Sequence, residues 1–284
     1  GCQMNRSESE RLGSYLEGHG YRATDTITEA DLIVLNGCVV RQSAENRILN
    51  KLSDLKSLKA ARPGITLAVT GCSVNSEVDK LKKGFSYVDY FFKPGVNPPW
   101  VDEASLTPSL PNNSSPSVFV PIIQGCDNFC SYCIVPYRRG REISRPIPEI
   151  LCEVNELVNR GAKEITLLGQ NVDSYGHDLP GKPELADLLT ELNNINGLAR
   201  IRFLTNHPKD ISPRLIEAIA SLDRVCEQIY IPVQSGSNEI LKLMRRGYTV
   251  EQYRHLIDLI RSKIPDIALS TDVIVGFPSE SGSQ

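Results

Sequence analysis

Three thiols stand on one short loop. Cys126, Cys130 and Cys133 fall in Gly125-Cys126-Asp127-Asn128-Phe129-Cys130-Ser131-Tyr132-Cys133, directly after the apolar run 118–123. A loop of this kind at the carboxyl end of a strand can wrap around a metal centre. Structural zinc sites usually take four ligands, commonly as two separated Cys-x-x-Cys pairs, and the chain holds no second pair. Iron-sulfur clusters are ordinarily held by four cysteines, so three leave one iron open to a substrate or cofactor. Structural zinc, or thiols without a ligand, is the plain alternative.

Cys2, Cys38 and Cys72 each follow a glycine. Residues 31–35 and 66–70 are short β-branched apolar runs that suit buried parallel strands, and Cys38 and Cys72 come at their ends. Cys2 would match them if a strand precedes Gly1. Parallel strands bring their carboxyl ends together, and glycine permits the tight turns and close backbone approach that a bulky cluster needs. Each of the three, taken singly, reads as a buried structural cysteine; together they point to a second cluster. Cys152, within a helical segment, and Cys226, just before a strand, lack this context and are expected in the core.

The elements that must position these thiols read as α/β. Between the first two strands, residues 43–61 carry Ile48, Leu49, Leu52, Leu55 and Leu58 at helical spacing, closed by Pro63-Gly64. Strand, helix, strand implies a parallel sheet, so residues 1–104 are expected to form an amino-terminal parallel-sheet α/β domain. Residues 105–117, rich in Ser, Thr, Pro and Asn, read as a linker. Within 118–284, strands are expected at 118–123, 164–168, 200–203, 229–233 and 269–275, with helices at 148–159, 184–192, 213–221 and 250–263. This pattern suits a partial (β/α) barrel, cut short at the carboxyl end, whose functional residues gather at the carboxyl ends of its strands. A doubly wound sheet is the competing arrangement.

With 284 residues, 40% of them hydrophobic, the chain can build two cores. A formal net charge of -3 excludes a protein that binds nucleic acid over its whole surface, so any RNA contact must be local. No apolar stretch approaches a membrane span, and no signal segment is seen. A cytoplasmic location is expected, where the 8 cysteines stay reduced and serve metal or redox chemistry. The start at Gly1 and the polar tail 279–284 read as the open ends of a fragment.

At this point the motifs resemble a known family, the radical S-adenosylmethionine methylthiotransferases, most closely its tRNA-modifying branch. Gly1-Cys2-Gln3-Met4-Asn5, Asn36-Gly37-Cys38-Val39-Val40-Arg41 with Ala44, and the whole of GCDNFCSYCIVPYRRGREISRP from Gly125 to Pro146 carry the likeness. Leu168-Gly169-Gln170-Asn171-Val172-Asp173-Ser174-Tyr175, Pro232-Val233-Gln234-Ser235-Gly236-Ser237 and Val275-Gly276-Phe277-Pro278 continue it. Gly37, the block Gly71-Cys72-Ser73-Val74-Asn75 and Ser279-Glu280-Ser281 depart from the family's usual pattern, and residues 118–284 are expected to form its core domain incompletely, without the barrel's carboxyl end or the RNA-binding TRAM domain that follows it in the family.

The resemblance implies methylthiolation at C2 of N6-isopentenyladenosine beside the tRNA anticodon. It implies two 4Fe-4S clusters, the radical-generating one on Cys126, Cys130 and Cys133 and an auxiliary one on Cys2, Cys38 and Cys72. S-adenosylmethionine would be faced by Gly169, Gln170 and Asn171 and by Gln234, Ser235 and Gly236. Plain turn residues are the alternative for these six. The expected partners are tRNA and an electron donor such as flavodoxin or ferredoxin, with no membrane and a monomeric chain. A related enzyme acting on another tRNA adenosine or on a ribosomal protein, or an inactive cluster-binding fragment, competes with this reading.

Arg138, Arg139, Arg141 and Arg145 crowd the segment after the cluster loop, and Lys209, Arg245 and Arg246 could extend them. Guanidinium forks suit phosphate, so these four arginines are candidate RNA contacts. A solvated surface, or internal ion pairs to Glu142 and Glu149, is the alternative.

Overall fold

The computed structural model of the protein describes residues 2–74, 78–101, 110, 115–282 and 284. The chain divides into two units, Gly1–Asn113 with Tyr137–Arg139, and Ser114–Pro136 with Gly140–Gln284. Gly1, Asn75 and most of the expected linker 105–117 lie outside the described residues; of that linker, Ser117 opens a strand.

The first unit is a three-stranded parallel sheet in the order β1 (Leu32–Gly37), β2 (Thr66–Gly71), β3 (Tyr90–Phe91). Helix α1 (Gln3–Gly18) precedes it, α2 (Gln42–Ala61) crosses from β1 to β2, and α3 (Val78–Gly84) lies between β2 and β3. Leu52 and Leu55 of α2 are 2% exposed and pack with Val69, Val74 and Val88 and with Ile65 and Leu67 respectively. The expected strand-helix-strand unit is therefore present, built on the leucine spacing that signalled it. Sequence patterning did not signal α1, because its buried side chains are Met4, Asn5, Ser7 and Tyr15, half of them polar.

The second unit begins with β4 (Ser117–Pro121) and β5 (Ile123–Gln124), followed by α4 (Val135–Arg139), whose last three residues belong to the first unit. Then come β6 (Ile143–Ser144), α5 (Ile147–Asn159), β7 (Glu164–Leu168), α6 (Leu185–Asn193), β8 (Arg200–Phe203) and α7 (Pro213–Ser221). The remainder is β9 (Gln228–Tyr230), α8 (Asn238–Leu243), α9 (Val250–Lys263) and β10 (Ala268–Ser270). Strands β4, β7 and β8 pair in parallel in that order, a parallel bridge joins Ile201 to Val225 just before β9, and β9 pairs in parallel with β10. The α/β architecture and all five expected strands are seen.

Three strands differ from expectation, the first of them 229–233, whose regular part is β9 and stops at Tyr230. The run 118–123 breaks at Ile122, after which β5 turns to pair antiparallel with β6. The run 269–275 is regular only to Ser270, and Val275 is 86% exposed. Apolar residues alone do not make a strand there: among the described residues, the bridge Gln234 to Val273 is the one ladder pairing beyond Ser270. Among the described residues, no helix is long and apolar enough to cross a membrane.

Candidate functional site

The antiparallel pair β5 and β6 closes the base of the loop that carries Cys126, Cys130 and Cys133. Gly125 starts the loop at φ +83°, and a side-chain Cβ there would sit 2.0 Å from the Arg141 carbonyl oxygen. Only glycine fits, because the position needs both left-handed backbone and close approach. The Cys126 amide donates to the Gly140 carbonyl (3.2 Å), and the Cys133 amide donates to the Cys130 carbonyl (3.0 Å). Asp127 and Glu142 clasp the loop by accepting each other's amide N–H, at 3.2 and 3.1 Å. Cys126 and Cys130 are buried and Cys133 is half-buried.

A polar shell holds this loop from the carboxyl ends of β7 and β8. Gln170 accepts the Gly125 amide through Oε1 (2.6 Å). Asp210 accepts from the Asn171 amide (2.7 Å) and the Asn128 amide (3.4 Å), while Lys209 Nζ donates to Asn128 Oδ1 (2.6 Å). One carboxylate thus links the cysteine loop to the residues after both strands. Asp173, buried beside it, accepts from Asn206 Nδ2 (2.6 Å) and the His207 amide (2.8 Å). Burial pushes the Asp173 acid up to about 7 and lowers His207 to about 3, the latter with help from the Arg246 charge. His207 is consequently neutral at pH 7.

The candidate S-adenosylmethionine residues are used differently from one another. Gly169 packs so tightly that a Cβ would stand 2.4 Å from Ile123 Cγ2. Gln170 and Asn171 already hold the cysteine loop, although Asn171 Oδ1 is buried without a hydrogen-bond partner and keeps accepting capacity. Gln234 has φ +69°, Ser235 is buried and accepts the Ser237 amide (3.1 Å), and a Cβ on Gly236 would meet open space.

In the first unit, the register pairs Gly37 with Gly71, so Cys38 and Cys72 follow at adjacent carboxyl ends. Cys2 is the residue that caps the amino terminus of α1. It does not follow a strand within the described residues. Asn5, one turn into α1, donates to Asn36 Oδ1 (2.6 Å), and Asn36 Nδ2 donates back to the Asn5 carbonyl (2.9 Å). That pair fastens the start of α1 to the end of β1, and so brings the chain around Cys2 to the strand end that carries Cys38.

The arginines do not form the expected surface patch. Arg139 is buried, its forked guanidinium bound to Glu8 at 2.5 and 3.1 Å, and its Nε donates to Cys72 Sγ (3.1 Å). Arg145 spends its donors on Glu149 (2.8 Å), Glu153 (2.7 Å) and the Pro121 carbonyl (2.7 Å). These two are held inside the protein: each guanidinium is committed to internal acceptors through all three of its nitrogens. For Arg145, the ion pair with Glu149 is the alternative that the sequence left open. Arg138 lies 4.0 Å from Glu45 with a side chain 20% exposed, and Arg141, 73% exposed, pairs with Asp127 (2.7 Å). Arg246 is likewise buried rather than part of a patch. Cys152 is exposed, not in the core: α5 buries Ile150, Glu153, Val154 and Leu157, and Cys152 falls off that face.

Burial governs the state of several of these thiols. All the thiols are free. Burial above all raises Cys126 to about 11 against the hydrogen bond it gains from Asn128, and the neighbouring Glu142, Cys130 and Cys133 add to the rise. Cys133 and Cys72 are raised for the same main reason, with Arg139 pulling Cys72 the other way. Crowded, buried thiols give up their protons to a cation that ligates them. Among the described residues, no three His, Cys, Asp or Glu side chains are gathered to hold a single metal ion. A zinc ion would draw its thiolates to about 2.3 Å from one point; a cluster takes each thiolate at a different iron, a wider arrangement.

The relationships Asn5 to Asn36, Arg139 to Cys72 and Arg246 to Cys130 escaped sequence reading. Their partners lie 31, 67 and 116 residues apart, and no local pattern marks them.

Comparison with known proteins supplies the family. Residues 120–284 match the Radical SAM superfamily, and residues 1–93 match Uncharacterized protein family UPF0004. The tRNA-2-methylthio-N(6)-dimethylallyladenosine synthase of Dehalococcoides mccartyi is 55% identical over 286 residues, covering 100% of this chain and 68% of the relative. The enzyme of that name from Thermoanaerobacter pseudethanolicus is 47% identical over 303 residues, covering 99% of this chain and 64% of the relative. The solved structure of the cobalamin-dependent S-adenosylmethionine radical enzyme OxsB, 16% identical, shares the fold with a TM-score of 0.64 over 94% of this chain and 46% of its own. Superfamily membership implies S-adenosylmethionine and a 4Fe-4S cluster as cofactors. The chain belongs to the radical SAM superfamily and, within it, to the same family as the tRNA-2-methylthio-N(6)-dimethylallyladenosine synthases.

Proposed function

We propose that this protein adds a methylthio group to C2 of N6-dimethylallyladenosine, beside the anticodon of tRNA, by radical S-adenosylmethionine chemistry. In this reading Cys126, Cys130 and Cys133 hold the cluster that binds S-adenosylmethionine, while Cys2, Cys38 and Cys72 hold a second. The observation that carries it is the provision of two separate cysteine triplets, with Cys126 following β5 and with Cys38 and Cys72 at paired strand ends. Residues 1–104 then serve the second cluster and residues 118–284 the first.

Bound together, the first cluster and S-adenosylmethionine supply one-electron cleavage of a carbon-sulfur bond and so the means to abstract hydrogen from C2. The chain's own part is to place and shield. Burial of the Cys126 and Cys130 side chains keeps water from their sulfurs. Gln170 and Asp210 fix that loop against β7 and β8 through Gly125, Asn128 and Asn171. Gln170, Asn171, Gln234 and Ser235 supply polar groups for S-adenosylmethionine, with Gly169 and Gly236 leaving room. The Arg139 N–H steadies the Cys72 sulfur. An electron donor of the flavodoxin or ferredoxin kind serves a cytoplasmic, monomeric enzyme.

Anaerobic reconstitution tests the reading. We expect about eight irons per chain, as two Cys-held 4Fe-4S clusters require, and 5'-deoxyadenosine on reduction with S-adenosylmethionine. Stoichiometric zinc with no iron uptake would overturn it.

A further inference from the structure

Arg246 is 4% exposed, yet it carries a full positive charge. Its Nη2 donates to the Pro232 carbonyl (3.2 Å), its Nε to the Tyr248 hydroxyl (3.1 Å), and its Nη1 to Cys130 Sγ (3.4 Å). The guanidinium carbon also lies 5.4 Å from the centre of the Tyr248 ring. All of these partners are neutral while Cys130 remains a thiol. Among the described residues, no carboxylate pairs with Arg246 in the way that Glu8 pairs with Arg139 at 2.5 Å.

Burying a charge without a counter-ion is costly, so the position makes physical sense when an anion arrives beside it. Cys130 is the group at hand. Three thiolates on a 4Fe-4S cluster give a net anionic centre, and reduction adds one further negative charge. Hydrogen bonds to the sulfurs and nearby charge are the levers by which a protein moves the potential of such a cluster.

We infer that Arg246 is a positioning residue that raises the reduction potential of the cluster on Cys126, Cys130 and Cys133, through its N–H to Cys130 Sγ and its unpaired charge. The inference rests on the cluster assignment proposed above. It eases electron transfer from a low-potential one-electron donor. Arg139 differs, because Glu8 cancels its charge and leaves chiefly a hydrogen bond to Cys72.

The test is a redox titration of the reconstituted protein in a Cys38→Ala/Cys72→Ala background, which leaves one cluster of about four irons. Iron uptake failing there with Arg246 intact would refute the cluster assignment itself. With iron bound, Arg246→Gln is expected to shift the midpoint potential downward, Arg246→Met to do the same, and Arg246→Lys to stay near the parent value. The two neutral variants guard against one of them failing to load. An unchanged potential in either loaded neutral variant, or a fall in Arg246→Lys as large as in Arg246→Gln, would overturn the inference.

Discussion

Asn5 and Asn36 grip each other in both directions: the Asn5 amide donates to Asn36 Oδ1 at 2.6 Å, and the Asn36 amide donates to the Asn5 carbonyl at 2.9 Å. Asn36 Nδ2 also reaches Ser9 Oγ (3.0 Å), so one side chain ties the first two turns of α1 to the end of β1. Cys2 and Cys38 stand on the two segments so joined. Asn36→Leu removes both side-chain bonds, leaves the Asn5 amide only its 3.2 Å bond to the Asn36 backbone carbonyl, and is expected to cost about 1 kcal/mol. Iron content after reconstitution checks the functional consequence: it should fall from about eight toward about four per chain, the loss confined to the Cys2, Cys38 and Cys72 set. Retention of all the iron would show that the pair has no part in assembling that set.

Gly125→Ala puts a methyl group 2.0 Å from the Arg141 carbonyl at a backbone φ of +83°. The loop must shift, and destabilisation above ~1 kcal/mol is expected. Thermal unfolding reads the stability. Iron analysis should show the complementary loss, at Cys126, Cys130 and Cys133, with the other set still filled.

Asp173 and His207 make opposite demands on pH. Burial raises the Asp173 acid to about 7, above its ordinary unfolded value of ~4. The folded state then binds the extra proton, and this stabilisation is full below about 4 and lost as pH rises through about 7. His207 is lowered to about 3 from its ordinary ~6.5, so the unfolded state binds the extra proton and stability is lost as pH falls below about 6.5. Between about pH 4.5 and 6.5 the two slopes, each up to about 1.4 kcal/mol per pH unit, offset one another. Denaturant midpoints across that window should show Asp173→Asn losing stability as pH falls and His207→Gln gaining it. Parallel profiles for the two variants would contradict these protonation states.

Arg141, with its exposed side chain, is the arginine of the segment best placed to meet phosphate. Arg141→Ala should weaken tRNA binding and reduce the steepness of its salt dependence by about one. Arg139→Ala should behave otherwise, lowering thermal stability and iron content because it strips the half-buried Glu8 of its partner. A binding titration over a range of salt concentrations separates the two effects.

Much of this architecture was legible locally. The β-branched runs before Cys38 and Cys72 and the leucine spacing of α2 report burial on a period, and the structure repeats them as β1, β2 and α2. The spacing of Cys126, Cys130 and Cys133 likewise needs only one loop to be read. What escaped is long-range. Helix α1 shows no apolar stripe because it buries Asn5 and Ser7 beside Met4 and Tyr15. Arg139 looked like a surface charge because Glu8 and Cys72, which consume it, lie 131 and 67 residues away. Cys152 was expected inside from the general habit of cysteine, but its place on the helix decided otherwise.

The central claim is most directly tested in a cell lacking its own tRNA methylthiotransferase. The full-length protein is expressed there, and the tRNA nucleosides are analysed by mass spectrometry. The account predicts that N6-dimethylallyladenosine is converted to its 2-methylthio form, and that Cys130→Ala and Cys72→Ala each abolish the conversion. Iron-loaded protein that leaves the adenosine unmodified, or that modifies a ribosomal protein instead, would contradict it.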